Sequence, residues 1–279
     1  MLQYHHILMY NNRNQSKSIN INHYMRGFMQ IERKKTILDM LNNKYSVSVN
    51  ELAETLFVSH ATVRRDLTEL AQKGLLKKVY GGAVALKGSA IEDPLKIRQR
   101  ENWDKKHYIA SVAADIIQNG NTVFLDSSST VLALTENLSS INNLTVVTNG
   151  IQALNNLSNY NKTTAYCCSG KIRENTKSLV GVSAIKYIST VFADITFISC
   201  RGITNEGILT DSSEDEIEVK RAFIKNAHKK ILLIDSEKFG KQYFKRVADL
   251  SDLDIIITDT LPDKKFLDIC AGFGIKIMY

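Results

Sequence analysis

The amino-acid sequence predicts an α/β protein in two parts: a short front unit of three helices and a β-hairpin, then a larger, mostly parallel α/β domain. Beyond about residue 100, short apolar runs alternate with helical stretches, a pattern that builds a parallel sheet covered on both faces. Ahead of it, three helical segments with tight breaks lead into a hairpin around a Gly-Gly pair. The charge is also divided. The 279-residue chain carries a net charge of +7, and residues 25–100 hold 14 Lys and Arg against 8 Asp and Glu. Residues 101–279 hold 20 against 21, close to neutral. A basic front on a neutral body points to a polyanionic partner at the front.

Residues 1–24 are polar and rich in Asn, without apolar periodicity, and are expected to be a disordered extension. Met25 is a candidate translation start, because periodic sequence begins just after it. Ile31, Ile37, Leu38 and Leu41 then share one helical face. After a polar break at residues 42–48, Asn50 is placed to cap a second helix with Leu52, Ala53 and Leu56 inward. The connection Phe57-Val58-Ser59 is three residues long. Ser59 caps a third helix, Val63, Leu67 and Leu70 face inward, and Gly74 stops it. Leu75–Tyr80, Gly81-Gly82 and Ala83–Leu86 form the hairpin. Residues 25–86 therefore read as a winged helix-turn-helix.

Residues 87–100 (KGSAIEDPLKIRQR) read as a polar linker, and 101–279 as the larger domain. A helix is expected over 103–118, and others up to Leu138 and over Asp215–Ala227. Strands are expected at Thr122–Leu125, Leu144–Val147, Thr163–Cys167, Ile195–Ser199, Ile231–Ile234, Ile255–Thr258 and Ile275–Met278.

Cys167, Cys168, Cys200 and Cys270 show no ligand spacing and have no histidine in a ligand pattern nearby, so no metal site is expected. No cofactor signature is present. No apolar run approaches the ~18 residues of a membrane span, and no secretory h-region opens the chain. The chain reads as cytoplasmic, with no membrane partner.

In a helix-turn-helix the second helix enters the major groove. Here that helix runs from His60 to Ala71, and its outward positions include His60, Thr62, Arg64, Arg65 and Thr68. One of Arg64 and Arg65 suits a bidentate contact with guanine, the other a phosphate. Ser59 and Thr62 at the capped end suit phosphate, and Lys77 and Lys78 lie on the wing. The competing reading ties the two arginines into a surface network with Asp66 and Glu69.

The stretch VSVNELAETLFVSHATVRRDLTELAQKGLLKKVYGGAV resembles the reader of the DeoR-type bacterial repressors. The likeness continues through VFLDSSST, VVTNG, SGKIRENTKSLVG, SCRGIT with GILT, EVKRAFI and LLIDSEKFG, and so covers nearly all of the chain after Met25.

In an open parallel sheet the ligand crevice lies beyond the carboxyl ends of the strands. Asp126-Ser127-Ser128-Ser129-Thr130, Thr148-Asn149-Gly150, Ser169-Gly170-Lys171, Arg201-Gly202 and Asp235–Lys238 all follow predicted strands. Lys171, Arg201 and Lys238 supply charge for a phosphate. Asp126, Asp211 and Asp235 can accept hydroxyls or orient the lysines. The family's sensor is similar to ribose-5-phosphate isomerase, which implies a sugar phosphate held by the DSSST loop. Where many members have Gly-Ala-Asp-Gly, this chain has Ser199-Cys200-Arg201-Gly202. The exchange of an acid for arginine implies a more negative ligand, and it removes a group an isomerase would need.

The expectation is thus a sequence-specific repressor of a sugar or polyol operon. Its partners would be double-stranded operator DNA, a phosphorylated sugar or polyol effector, and further copies of itself. The alternative is an isomerase-like enzyme with a regulatory reader, for which Glu214, Glu216 and Glu218 would be the acids. That run reads more naturally as the acidic first turn of a helix. A third reading, a winged helix used only to bind protein, fits poorly with the basic outward face.

Overall fold

The structure is a computed structural model that describes residues 15–44, 46–79, 81–85, 92 and 95–279. Residues 1–14 of the expected extension, and 87–91, 93 and 94 of the expected linker, lie outside it. The chain divides into two compact units, one ending at Ala85 and the other beginning at Leu86.

The first unit comprises α1 (Gln15–Lys44), β1 (Ser46–Ser48), α2 (Val49–Leu56), α3 (His60–Gln72), β2 (Leu76–Val79) and β3 (Gly82–Ala85). Ile37, Leu41, Leu52, Val63, Leu67 and Leu70 are each at most 1% exposed and form its core. Four expectations change. Helix α1 starts at Gln15, inside the segment read as disordered; its first turn is polar, and the helical spacing of Ile21, Tyr24, Met25 and Phe28 was the signal passed over. The cap of α2 is Ser48, whose Oγ accepts from the Glu51 N–H at 3.0 Å, and Asn50 lies inside the helix. The polar break also contains a strand. β1 pairs with β3, giving the order β1-β3-β2. Gly82 belongs to β3, not to the turn, and a Cβ there would overlap the Val47 carbonyl oxygen.

The second unit begins with α4 (Leu95–Arg100) and α5 (Trp103–Ala114). A seven-stranded parallel sheet follows: β4 (Thr122–Leu125), β5 (Leu144–Thr148), β6 (Thr163–Cys167), β9 (Ala193–Ile198), β12 (Ala227–Leu233), β14 (Ile255–Ile257) and β15 (Lys276–Met278). Between them run α6 (Ser129–Leu134), α7 (Ile151–Leu157), α8 (Val182–Ile188), α9 (Glu214–Lys225) and α10 (Lys264–Gly272). Val123 and Leu125 of β4 pack with Ile109, Val131 and Leu134 on one face, while Phe124 packs with Val219 and Phe223 on the other. Both faces of the central strands are therefore buried, and those strands lack an apolar/polar alternation, whereas the edge strand β6 alternates.

The sequence reading missed two smaller sheets. β7 (Lys171–Arg173) and β8 (Ser178–Val180) form an antiparallel pair, and β10 (Gly202–Ile203), β11 (Ile208–Asp211) and β13 (Lys245–Asp249) form an antiparallel trio. The expected linker also changes character. Leu95 is buried with Leu132 and Ala153, its N–H donates to the Asn175 carbonyl at 2.8 Å, and Glu92 pairs with Arg98 and Arg173. Residues 92 and 95–100 thus belong to the second unit. Among the described residues no helix is long and apolar enough to cross a membrane.

Sheet order decides where a ligand can sit. It reads β15-β14-β12-β9-β4-β5-β6. The chain runs outward from β4 through β5 to β6, then returns to β9 on the other side of β4. The order reverses at β4, and the crevice of such a sheet opens at that reversal.

Candidate functional site

The helix-turn-helix is built from short-range determinants. Phe57 closes α2 in a left-handed conformation (φ 52°). Ser59 caps α3, its Oγ accepting from the Thr62 N–H at 3.2 Å. His60, Arg64, Arg65, Lys77 and Lys78 are exposed, and Thr62 and Thr68 half-buried. Lys78 reaches back from the wing to donate to Thr68 Oγ1 at 2.8 Å.

The acids that could have neutralised Arg64 and Arg65 are held elsewhere. Asp66 is wholly buried and takes a two-point contact from Arg33 of α1, at 2.5 and 3.2 Å. Glu69 pairs with Lys34 at 2.5 Å, which holds its carboxyl below the usual range. Among the described residues no carboxylate lies within ion-pair distance of Arg64 or Arg65. The surface network weighed above therefore exists, but with α1 as its cationic partner.

In the second unit, a cleft of about 140 Å³ opens where β4, β9 and β12 end. Ser128, Ser129, Arg201, Asp211 and Lys238 line it, all of them expected from sequence. Asp126 lies beneath. It accepts the N–H groups of Ser128 (2.8 Å) and Ser199 (2.9 Å), tying the end of β4 to the end of β9. Burial raises its pKa despite nearby Lys220. Lys220 lies 2.5 Å from Asp211 and 3.7 Å from Asp126. Burial opposes its charge, but the two carboxylates outweigh it and raise its pKa. Asp211 is lowered in turn, the Lys220 charge and hydrogen bond overcoming the cost of burial. Lys238 sits 3.4 Å from Asp235 and donates to Ser199 Oγ at 3.3 Å. Arg201 donates to Ser212 Oγ at 2.8 Å and lies 4.4 Å over the Tyr243 ring.

Other expected residues fall elsewhere. Lys171 is exposed on β7, and Gly170 packs on the backbone of Val180. Both follow β6, which the sheet order places two strands from β4. Ser127 turns away to donate to Glu216 Oε2 at 3.0 Å, and Asn149 donates to Ser127 Oγ at 3.4 Å and to the Leu179 carbonyl. Thr130 is fully buried, and Thr148 Oγ1 accepts from the Gly150 N–H. Gly202 is structural: a Cβ there would overlap the Lys241 carbonyl oxygen, so the glycine lets the 238–244 loop lie on β10.

The acids considered for catalysis do not line the cleft. Glu214 pairs with Lys245 and Glu218 with Arg221. Glu216 is buried and takes bonds from Ser127, Thr176, Ser178 and Arg173, so it is not simply part of an acidic first turn.

Three cleft lysines escaped the sequence reading: Lys241, in the loop before Tyr243, and two on helix stripes. Lys106 shares the buried stripe of α5 with Ile109, Ala110 and Ala113, and Lys220 shares that of α9 with Glu216 and Phe223. A lysine on an apolar stripe was the available signal. Lys106 is 4% exposed and donates to the carbonyls of Arg98 and Glu101. Burial, reinforced by the charge of Lys238, brings its pKa down to about 8.

Comparison with known proteins agrees with this anatomy. Residues 33–88 match the family model described as DeoR-like helix-turn-helix domain, and 101–260 the one described as DeoR C terminal sensor domain. The chain is 34% identical to the HTH-type transcriptional regulator GolR of Listeria innocua over 88% of this chain and 98% of that protein. It is 30% identical to the glycerol-3-phosphate regulon repressor of Escherichia coli, over 89% and 98%. It is 32% identical to the HTH-type transcriptional repressor GlcR of Bacillus subtilis, over 89% and 96%. The ribose 5-phosphate isomerase A of Methanocaldococcus jannaschii overlaps 50% of this chain and 55% of its own at a TM-score of 0.36 and 14% identity, too distant to bear on function. Relatives matched along almost their whole length are named as regulators rather than enzymes, and the chain belongs to the DeoR family of transcriptional regulators.

Proposed function

We propose that this protein represses a sugar or polyol metabolism operon and that a phosphorylated sugar or polyol controls it from the cleft. One observation carries the effector reading: Ser128 and Ser129 hydroxyls, Lys238 and the buried Lys106 surround one polar cleft at the sheet's switch point. A relative named for the glycerol-3-phosphate regulon supports the same chemistry. On the reader, Arg64 and Arg65 contact operator bases or phosphates, with Ser59, His60, Thr62, Thr68, Lys77 and Lys78 around them. The protein works as an oligomer, most simply a dimer reading two half-sites spaced by whole helical turns, because one reader of this size buries a small interface.

A ligand shifts this equilibrium only if its affinity differs between the DNA-competent and incompetent states. A coupling of about 1–3 kcal/mol changes operator occupancy several-fold or more. The test is a pair of titrations with a panel of sugar and polyol phosphates, with and without operator DNA. Lys238→Ala is expected to lose the ligand response and keep operator binding. An unchanged response in that variant would place the effector elsewhere.

A further inference from the structure

The cleft floor is a continuous chain of contacts between two cationic side chains, Lys238, which also meets Asp235 at 3.4 Å, and Arg201. Lys238 donates to Ser199 Oγ, and the Ser199 N–H donates to Asp126. Asp126 faces Lys220, which pairs with Asp211. Asp211 accepts the Ser212 N–H at 2.8 Å, and Ser212 Oγ accepts from Arg201. In the middle two carboxylates surround one lysine, so that region suits hydroxyls and repels a phosphate. Anionic groups are driven to the two ends.

The Lys238 end, with the buried Lys106 nearby, is the phosphate position already proposed. The Arg201 end is a second one of similar quality. The Arg201 guanidinium is held over the Tyr243 ring and by Ser212. Lys241 is delivered beside it because its backbone lies on Gly202, the next residue. The Lys241 side chain also lines the cleft, and among the described residues no carboxylate lies within ion-pair distance of it. The 238–244 loop is fastened there by the Ile203–Phe239 bridge and by the Tyr243 N–H donating to Thr210 Oγ1 at 3.0 Å. Arg201 stands two residues beyond Ser199, so at most about 7 Å of backbone separates them, within the reach of a short carbon chain.

We propose that the effector carries two phosphate groups, one at each end of a short polyol or sugar chain. The first sits at Lys238 and the second at Arg201 and Lys241, where a planar guanidinium offers paired donors to phosphate oxygens. Its hydroxyls meet Asp211 between them. This deepens the effector reading above and rests on it.

The experiment is calorimetric titration of the full-length protein with matched monophosphates and α,ω-bisphosphates of the polyols from glycerol to hexitol. At one chain length the bisphosphate is expected to bind at least about tenfold tighter than its monophosphate. In Arg201→Gln and in Lys241→Ala, that advantage is expected to shrink to about twofold or less. Arg201→Gln loses the contacts to Ser212 and Tyr243; should it fail to fold, Lys241→Ala carries the test, since its side chain is exposed. The two-phosphate proposal is overturned if monophosphates bind through Lys238 but no bisphosphate surpasses them, or if the advantage survives both substitutions. If no phosphate binds, or if binding is untouched by Lys238→Ala, the effector reading falls and this proposal with it.

Discussion

Arg173 donates to Glu216 at 3.1 Å, and this pair ties the β7–β8 hairpin to the first turn of α9. Arg173 also meets Glu92, which in turn holds Arg98 at the cleft. Glu216 is 4% exposed and accepts three hydroxyls besides the guanidinium. Removing the Glu216 carboxylate takes the common acceptor from three hydroxyls and leaves Arg173 with Glu92 alone. Glu216→Ala is expected to destabilise the second unit by about 3–5 kcal/mol, read by urea unfolding of the full chain. A loss below about 1 kcal/mol would mean that Glu92 alone satisfies Arg173.

On α3 the arginines and the acids have separate tasks. Arg64→Ala and Arg65→Ala are each expected to weaken operator binding by about 1–3 kcal/mol and leave the melting temperature unchanged, because both side chains are exposed. Arg33→Ala is expected to do the reverse first, lowering stability by stranding the buried Asp66. Operator binding at wild-type affinity in both α3 variants would mean that a different face reads DNA.

Effector affinity is expected to fall as pH rises through about 8. The Lys106 pKa is depressed to about 8 by burial and by Lys238. Below that pH Lys106 is charged and attracts an anion; above it the attraction is lost. A phosphate monoester, with its second pKa near ~6, keeps a constant charge over this range. Binding above pH 8 is expected to take up a proton, since the anion favours charged Lys106. Titrations from pH 7 to 9 check this, and Lys106→Gln is expected to flatten the profile. A flat wild-type profile would remove Lys106 from the anion site.

Gly82→Ala is expected to disrupt the wing, because the added methyl overlaps the Val47 carbonyl across the β1–β3 pair. Overpacking of this kind costs about 1–3 kcal/mol. Circular dichroism melting of the full chain is the measurement, and an unchanged melting profile would contradict the observed strand pairing.

Local signals were legible in the sequence. Apolar spacing identified Val63, Leu67 and Leu70 as the inward face of α3, Ser59 as its cap, and the seven main strands in their order along the chain. Periodicity and capping are short-range properties, so the chain itself carries them. What tertiary structure decided was adjacency. The sheet order brought the ends of β4, β9 and β12 together and left Lys171 beyond β6, and no pattern in the chain specifies which parallel strands are neighbours. Burial, likewise, is a property of the folded whole. It turned Lys106 and Lys220 from ordinary helix lysines into cleft residues, and it gave Asp66 to Arg33, while Arg64 and Arg65 stay exposed on the outward face of α3.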